Sequence, residues 1–248
     1  MKISVGTILV VALLATTAAC GDKPAETATS TDAAAPAATP APAGTDWLSV
    51  TAATPEGGFR MGNPDAKVKL LEFASLTCPH CKDFHAEAFE TIKAKYVATG
   101  NVSYEFRNFV LNGPDNAASM LARCQGPGPF FGLLGSFFAD QASWTEPFTK
   151  LTEADSARLS ALPQDKQVAA LAETGKLDAY VRTRGMPRAK FDACLADKAA
   201  LDQLLALRTQ ATDTYKLTGT PGFIINGKTQ TDAYDWKTLE PKLQAALR

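Results

Sequence analysis

Apolar residues follow three different rhythms along this chain. Val68 to Ala74 is almost continuously apolar, the pattern of a strand covered on both faces. From Pro79 to Ala98 the period lengthens: Phe84, Ala88 and Ile92 fall on one helical face, with Phe89 and Tyr96 on or beside it. Gly100-Asn101 stops that helix, and Val102, Tyr104 and Phe106 then alternate with Ser103, Glu105 and Arg107 as a second strand. The sum is a β-α-β unit, preceded by an entry turn over Phe59 to Pro64.

From Asp115 to about Lys216 the spacing is helical throughout. Candidate helices cover 115–124, 129–141, 149–160, 163–173 and 187–215, separated by Pro and Gly at 126–129, 147, 163, 175 and 185–187. The last carries Phe191, Cys194, Leu195, Leu201, Leu204 and Leu205 at spacings of three and four. Gly219-Thr220-Pro221-Gly222 then leads into a short strand, Phe223 to Ile225. Asn226-Gly227 signals a two-residue hairpin turn, Lys228 to Gln230 returns as a strand, and 235–247 closes the chain as a helix. The expected class is α/β. Residues 46–113 and 217–248 form the two halves of one domain, and 114–216 form an all-helical insertion between them.

The N-terminus changes the picture. Lys2 precedes an apolar run from Ile3 to Leu14, then small residues reach Ala19 and Cys20. The run is too short for a comfortable membrane span and has the form of a signal peptide over 1–19. Thr17-Ala18-Ala19-Cys20 resembles a bacterial lipoprotein processing site, in which Cys20 is lipidated and anchors the chain to a membrane. Thr17 departs from the Leu, Val or Ile usual there, and the alternative is a secretory cut after Ala19 that leaves Cys20 a free thiol. On either reading the protein is exported to the cell envelope, on the periplasmic side, where disulfides persist. Residues 20–45 follow as a disordered tether: from Asp22 to Thr45 the chain is mostly Ala, Thr and Pro, too poor in apolar surface to offset its ordering entropy. Fully extended it reaches roughly 70 Å at about 3.1 Å per residue. It serves either as a stand-off from a membrane or as a plain spacer. A net charge of −1 argues against a broad nucleic-acid surface, and the presence of only His80 and His85 excludes most His-rich metal sites.

The chemistry concentrates at Cys78-Pro79-His80-Cys81, directly after the first strand. Two cysteines at this spacing close a small disulfide ring. At a helix start the first sulfur meets free backbone N–H groups and the positive end of the helix dipole, which favour the thiolate, the reactive form in disulfide exchange. Pro79 suits the first helical position, where no N–H is needed. His80, inside the ring, favours the anion further when charged or hydrogen-bonding. Each pKa unit of thiolate stabilisation is worth about 1.4 kcal/mol. A ring this small constrains the unfolded chain weakly, which argues against a purely stabilising bridge. Cys81 is the buried partner that attacks a mixed disulfide to release the substrate. His85, four residues past Cys81 on the same face, either tunes Cys81, binds a metal beside it, or is a packed or surface histidine.

This arrangement resembles the DsbA-like branch of the thioredoxin superfamily over roughly 46–248. The residues that carry the likeness are Leu71-Glu72-Phe73, Cys78-Pro79-His80-Cys81, Phe191-Asp192-Ala193-Cys194-Leu195 and Gly219-Thr220-Pro221-Gly222-Phe223. The resemblance implies a thioredoxin-like fold with an inserted helical domain, no cofactor, and donation of the Cys78–Cys81 disulfide to reduced exported proteins. A membrane redox partner would reoxidise the pair, and the protein would act as a monomer. It also implies that a stabilised Cys78 thiolate makes the disulfide more oxidising. Glu72 becomes a buried acid that manages the proton of Cys81, against the alternative of a carboxylate at a solvent-facing sheet edge. Thr220-Pro221 becomes a cis peptide that leaves the Thr220 backbone free to pair with a substrate strand, against an ordinary trans turn. Cys124 and Cys194 become a structural disulfide, against two buried free thiols or a second redox pair.

Three further readings compete. A reductase or isomerase belongs to the same class, although only the Ala/Thr/Pro tether stands where familiar isomerases carry a dimerisation domain. A lipoprotein carrier of copper or zinc would use Cys78, Cys81 and His85. A non-catalytic chaperone or adhesin-like binder rests on the groove around Thr220 alone.

Overall fold

The computed structural model describes residues 44–248. The segment expected as a signal peptide, Cys20 and the expected tether as far as residue 43 lie outside the described residues. No helix among the described residues is long and apolar enough to cross a membrane.

Among the described residues six strands form one sheet in the order β1-β2-β4-β3-β5-β6. These are β1 (Thr51–Ala53), β2 (Phe59–Met61), β3 (Val68–Ala74), β4 (Val102–Asn108), β5 (Gly222–Ile225) and β6 (Lys228–Thr229). β3 is central, parallel to β4 with Glu72 opposite Phe106, and antiparallel to β5 with Glu72 opposite Phe223. The apolar run of β3 has a direct cause. Val68, Leu70 and Ala74 face the large core, while Leu71 and Phe73 face a second cluster with Phe109, Ala211 and Ile224. The segment 59–64, expected as a turn, is instead β2 followed by Gly62 at φ 102°. It pairs with β4 on one side and β1 on the other. Three-residue strands are too short to reveal an alternation, and β1 is a Thr-Ala-Ala run with no large apolar side chain, half-exposed.

Helix α1 (Pro79–Thr91) continues through a π turn (Ile92–Tyr96) and a 3-10 turn (Val97–Thr99) to Gly100 at φ 76°. Between β4 and β5 come α2 (Gly113–Arg123), α3 (Pro127–Ala139), α4 (Gln141–Thr149), α5 (Glu153–Ser160), α6 (Gln164–Thr174), α7 (Leu177–Arg182), α8 (Arg188–Ala196) and α9 (Lys198–Asp213). The single helix expected over 187–215 is therefore two. Asp197 takes an extended conformation and its carboxylate caps the Ala200 N–H at 3.0 Å. Helices α4 and α7 were not expected; α4 carries Pro147 in its body. At the hairpin, Asn226 and Gly227 both have positive φ (49° and 80°), as a type I′ turn requires. Helix α10 (Trp236–Leu247) starts from a capping box between Asp235 and Thr238.

The insertion shares the core of the sheet. Phe130 and Phe138 of α3 lie 5.7 and 6.3 Å from the ring of Phe106 in β4, and Phe130 is 4.6 Å from Phe59 in β2. A disulfide joins Cys124, at the end of α2, to Cys194 in α8.

Candidate active site

The central strand delivers the chain to a sharp turn, Ser75 to Thr77, and Cys78 is the N-cap of α1 with φ −79° and ψ 122°. Its N–H donates to the Ser75 carbonyl at 3.2 Å. Pro79 and His80 are exposed, Cys78 is 6% exposed, and Cys81, one turn in, is fully buried. Both cysteines are free thiols. The Cys78 thiol lies 3.4 Å from the Thr220 carbonyl oxygen, to which it donates, and Thr220-Pro221 is a cis peptide. Thr220 and Pro221 therefore stand beside Cys78 although 142 residues separate Thr220 from it in sequence.

The two sulfurs differ in acidity. Cys78 is drawn down to about 5, chiefly because the Cys81 side chain hydrogen-bonds to it. Burial opposes this, while the Thr220 side chain and the backbone N–H groups of Cys81 and His80 add to it. His80 thus favours the anion through its main chain. Cys81 is pushed well above the usual thiol range, first by burial, then by its bond to Cys78 and the charges of Cys78 and Glu72. The Ser75 backbone N–H works against that rise. A groove of about 420 Å³ runs from His80 past Thr220 and Pro221 to Gln230 and the exposed Tyr234.

Glu72 lies fully buried in the central strand, so it is not an edge residue. Tyr104 donates to its Oε2 at 2.6 Å, and His85 Nε2 is 3.6 Å from the same oxygen and 3.4 Å from the Tyr104 hydroxyl. His85 is stacked between Phe89 and Phe138, with centroids 4.7 and 4.1 Å away. It is a packed residue set against Glu72. Glu72 Oε1 and His85 Nδ1 are buried without a hydrogen-bond partner. Among the described residues no three Cys, His, Asp or Glu side chains are grouped to hold a metal ion, so Cys78, Cys81 and His85 do not make one.

The sequence did not single out Tyr104, Asp115 or Gln141 for the site. Tyr104 reads as one apolar position of an alternating strand. Asp115 reads as an ordinary first-turn acid, bonded at its N–H to the N-cap Asn112. Gln141 carries no signal in the sequence, yet its side chain donates to the carbonyls of Leu76 and Cys78 at 2.8 and 2.9 Å.

Comparison with known proteins agrees with this geometry. The thioredoxin family model matches residues 54–245. A Rickettsia bellii protein provisionally named a protein-disulfide oxidoreductase is 29% identical over 198 residues, covering 80% of this chain and 68% of the relative. A Rickettsia felis protein of the same name is 26% identical, covering 81% and 64%. The chain thus spans about two thirds of the length of these relatives. Among solved structures, the protein-disulfide isomerase of Novosphingobium aromaticivorans superposes with a TM-score of 0.74 at 34% identity, covering 77% of this chain and 97% of that one. Wolbachia pipientis alpha-DsbA1 shares the fold, with a TM-score of 0.59 at 24% identity over 76% of this chain and 89% of that one.

Proposed function

The chain belongs to the thioredoxin family and is a protein thiol–disulfide oxidoreductase with a DsbA-like fold; we propose that it works as an oxidase, donating the Cys78–Cys81 disulfide to exported proteins. The arrangement that carries this reading is Cys78 at the N-cap of α1, 3.4 Å from the Thr220 carbonyl oxygen, with Cys81 fully buried behind it; it draws Cys78 down to about 5 and pushes Cys81 up. A stabilised thiolate stabilises the reduced pair and so makes the disulfide a stronger electron acceptor.

In the donating direction a substrate thiolate attacks Cys78 Sγ. The Cys78–Cys81 bond breaks and Cys81 leaves as a thiolate, which takes a proton because its buried site disfavours charge. Glu72 is the acid placed to manage that proton. A second substrate thiolate then attacks the substrate sulfur of the mixed disulfide. The substrate disulfide forms and Cys78 departs as its stable thiolate. The two electrons of the substrate dithiol end on Cys78 and Cys81. Attack by Cys81 on the mixed disulfide is the reverse step, which frees an unproductive substrate. Thr220 offers its backbone to an extended substrate segment beside Cys78. A membrane redox partner returns the pair to the disulfide. The apolar leader and Cys20 put the protein in the envelope, lipid-anchored through Cys20, with Cys124–Cys194 as a structural bridge.

The test is the equilibrium of the Cys78–Cys81 pair with glutathione, together with oxidative refolding of a reduced substrate. An oxidising equilibrium with recovery of substrate activity supports the reading. A strongly reducing pair that refolds nothing overturns it. Because the Novosphingobium relative is named an isomerase, recovery of a scrambled substrate is measured beside it; activity there alone favours isomerisation.

A further inference from the structure

Four hydrogen-bond donors converge on one buried carboxylate in α2. Asp115 is fully buried. Its Oδ2 accepts from the Ser75 hydroxyl at 2.5 Å and the Leu111 N–H at 2.9 Å. Its Oδ1 accepts from the Leu76 N–H at 3.1 Å and the Ser119 hydroxyl at 3.2 Å. Two of these donors, Ser75 and Leu76, belong to the turn that carries β3 into Cys78. The rest of that turn is held from the same side. Asn112 donates to the Thr77 hydroxyl at 3.0 Å, and Gln141, 7% exposed, holds the carbonyls of Leu76 and Cys78. Every residue from Ser75 to Cys78 is therefore bonded to α2, its cap, or α4.

Helix capping does not explain this arrangement. A first-turn acid normally sits at the surface, where it is easily solvated. Burial instead pushes the Asp115 carboxyl up to about 6, so at neutral pH it is ionised against a desolvation cost. Only a carboxylate offers two oxygens that each accept twice; an asparagine at this position would turn an N–H toward two donors. The turn it holds feeds both sulfurs. The Ser75 carbonyl receives the Cys78 N–H, and the Ser75 N–H is the group that offsets the rise of Cys81.

We propose that Asp115, seconded by Gln141, is a positioning residue of the redox pair. It holds the turn Ser75 to Cys78 so that the Cys78 sulfur meets the N–H groups of α1 and the Ser75 N–H meets Cys81. The readiness of Cys78 to leave as a thiolate is thereby set from the inserted helices. The proposal rests on the exchange reading for its consequence, but the geometry it concerns is testable by itself. The groups facing Asp115 are Ser75 and Leu76 from the β3 turn, Leu111 from the connection between β4 and α2, and Ser119 from its own helix, none of them titratable. The Arg123 guanidinium reaches it only through Asn108 and Ser119, by bonds of 3.0 and 2.9 Å.

The experiment compares the full-length protein with Asp115→Asn and Gln141→Leu, reading thiolate absorbance against pH and the glutathione equilibrium. Asp115→Asn is expected to raise the Cys78 titration by about one unit and to shift the equilibrium about tenfold toward the disulfide form, equivalent to about 30 mV. It is also expected to remove an inflection near pH 6 from the exchange-rate profile. Gln141→Leu shifts the titration the same way by a smaller factor. A folded Asp115→Asn protein with an unaltered Cys78 titration, equilibrium and pH profile overturns the proposal. If that variant does not fold, an unshifted titration in Gln141→Leu overturns it. Failure of the exchange reading itself appears separately, as an unaltered protein that oxidises no substrate, and the thiolate titration still reports the positioning there.

Discussion

The acidity of Cys78 has a thermodynamic signature that needs no substrate. Reducing the pair creates a group that titrates near 5 in the folded chain instead of 9.0. Between those two values the unfolded chain binds one more proton at this site than the native one. The reduced protein therefore gains about 1.4 kcal/mol of stability per pH unit as pH rises from 5 to 9, and loses it as pH falls through 5. At pH 7 two units of the window have been crossed, which gives about 2.7 kcal/mol; above pH 9 the contribution levels off near 5 kcal/mol. Cys78 lies at the surface beside the exposed Pro79 and His80, so solvent screening makes these figures upper limits. Cys81, pushed well above the usual range, does not titrate in the window. Asp115 has the opposite sign: its raised value, about 6, makes a contribution that is fully present below its ordinary 3.8 and lost as pH rises through 6. That contribution is common to the reduced and disulfide forms and cancels in their difference. The assay is urea unfolding of both forms at a series of pH values, with the difference in unfolding free energy plotted against pH. It should climb with a slope of about 1.4 kcal/mol per unit from pH 5 to 7, and the pair should be about 60 mV more oxidising at pH 7 than one with an ordinary thiol. A difference that stays flat over that range refutes the reasoning, because it means Cys78 has no special stabilisation as an anion.

Other expectations follow from single groups. Cys78→Ser should abolish exchange, whereas Cys81→Ser, offered a disulfide-bonded substrate protein, should accumulate a mixed disulfide as the Cys78 thiolate displaces one substrate sulfur as a thiol, read on a non-reducing gel; no accumulation would show that Cys78 is not the exchanging sulfur. Glu72→Gln removes one of the charges that raise Cys81 and the carboxylate placed to manage its proton, so the Cys81 titration should fall and exchange should slow by about 10²-fold. An unchanged single-turnover rate across pH rejects that role for Glu72. Replacing Cys124 and Cys194 together by Ala opens a bridge spanning 70 residues, whose closure is worth about 4 kcal/mol in the chain-entropy model. The urea midpoint should drop while exchange persists, and an unmoved midpoint would show that the bridge adds nothing.

How much of this was legible in the sequence depended on how local each feature is. β3 was readable over its full extent, Val68–Ala74, because both of its faces are covered and every position except Lys69 and Glu72 is apolar. The hairpin was readable because Asn226 and Gly227 tolerate positive φ. The break at Asp197 was not, since neither Pro nor Gly marks it and a carboxylate cap performs it instead. The edge strand β1 and its neighbour β2 escaped because three residues cannot establish a period. At the site, the cysteines, Glu72 and Thr220-Pro221 stood out as residue types out of place or in a known pattern. Asp115 and Gln141 did not, because what distinguishes them is where their side chains end: on a turn 39 and 65 residues away in sequence.

The core that α3 shares with the sheet bears on how this protein can meet a partner. Phe130 and Phe138 pack directly on the strand next to the active-site strand. Lifting the inserted helices away would expose that apolar surface and pull on the turn that they hold. The insertion is thus ill suited to act as a hinged lid, and sheet and helices should lose amide protection together, as one cooperative unit. Such a protein offers its clients a fixed face. Adaptation to many different clients must then come from their side, from chains still unfolded enough to shape themselves to the groove.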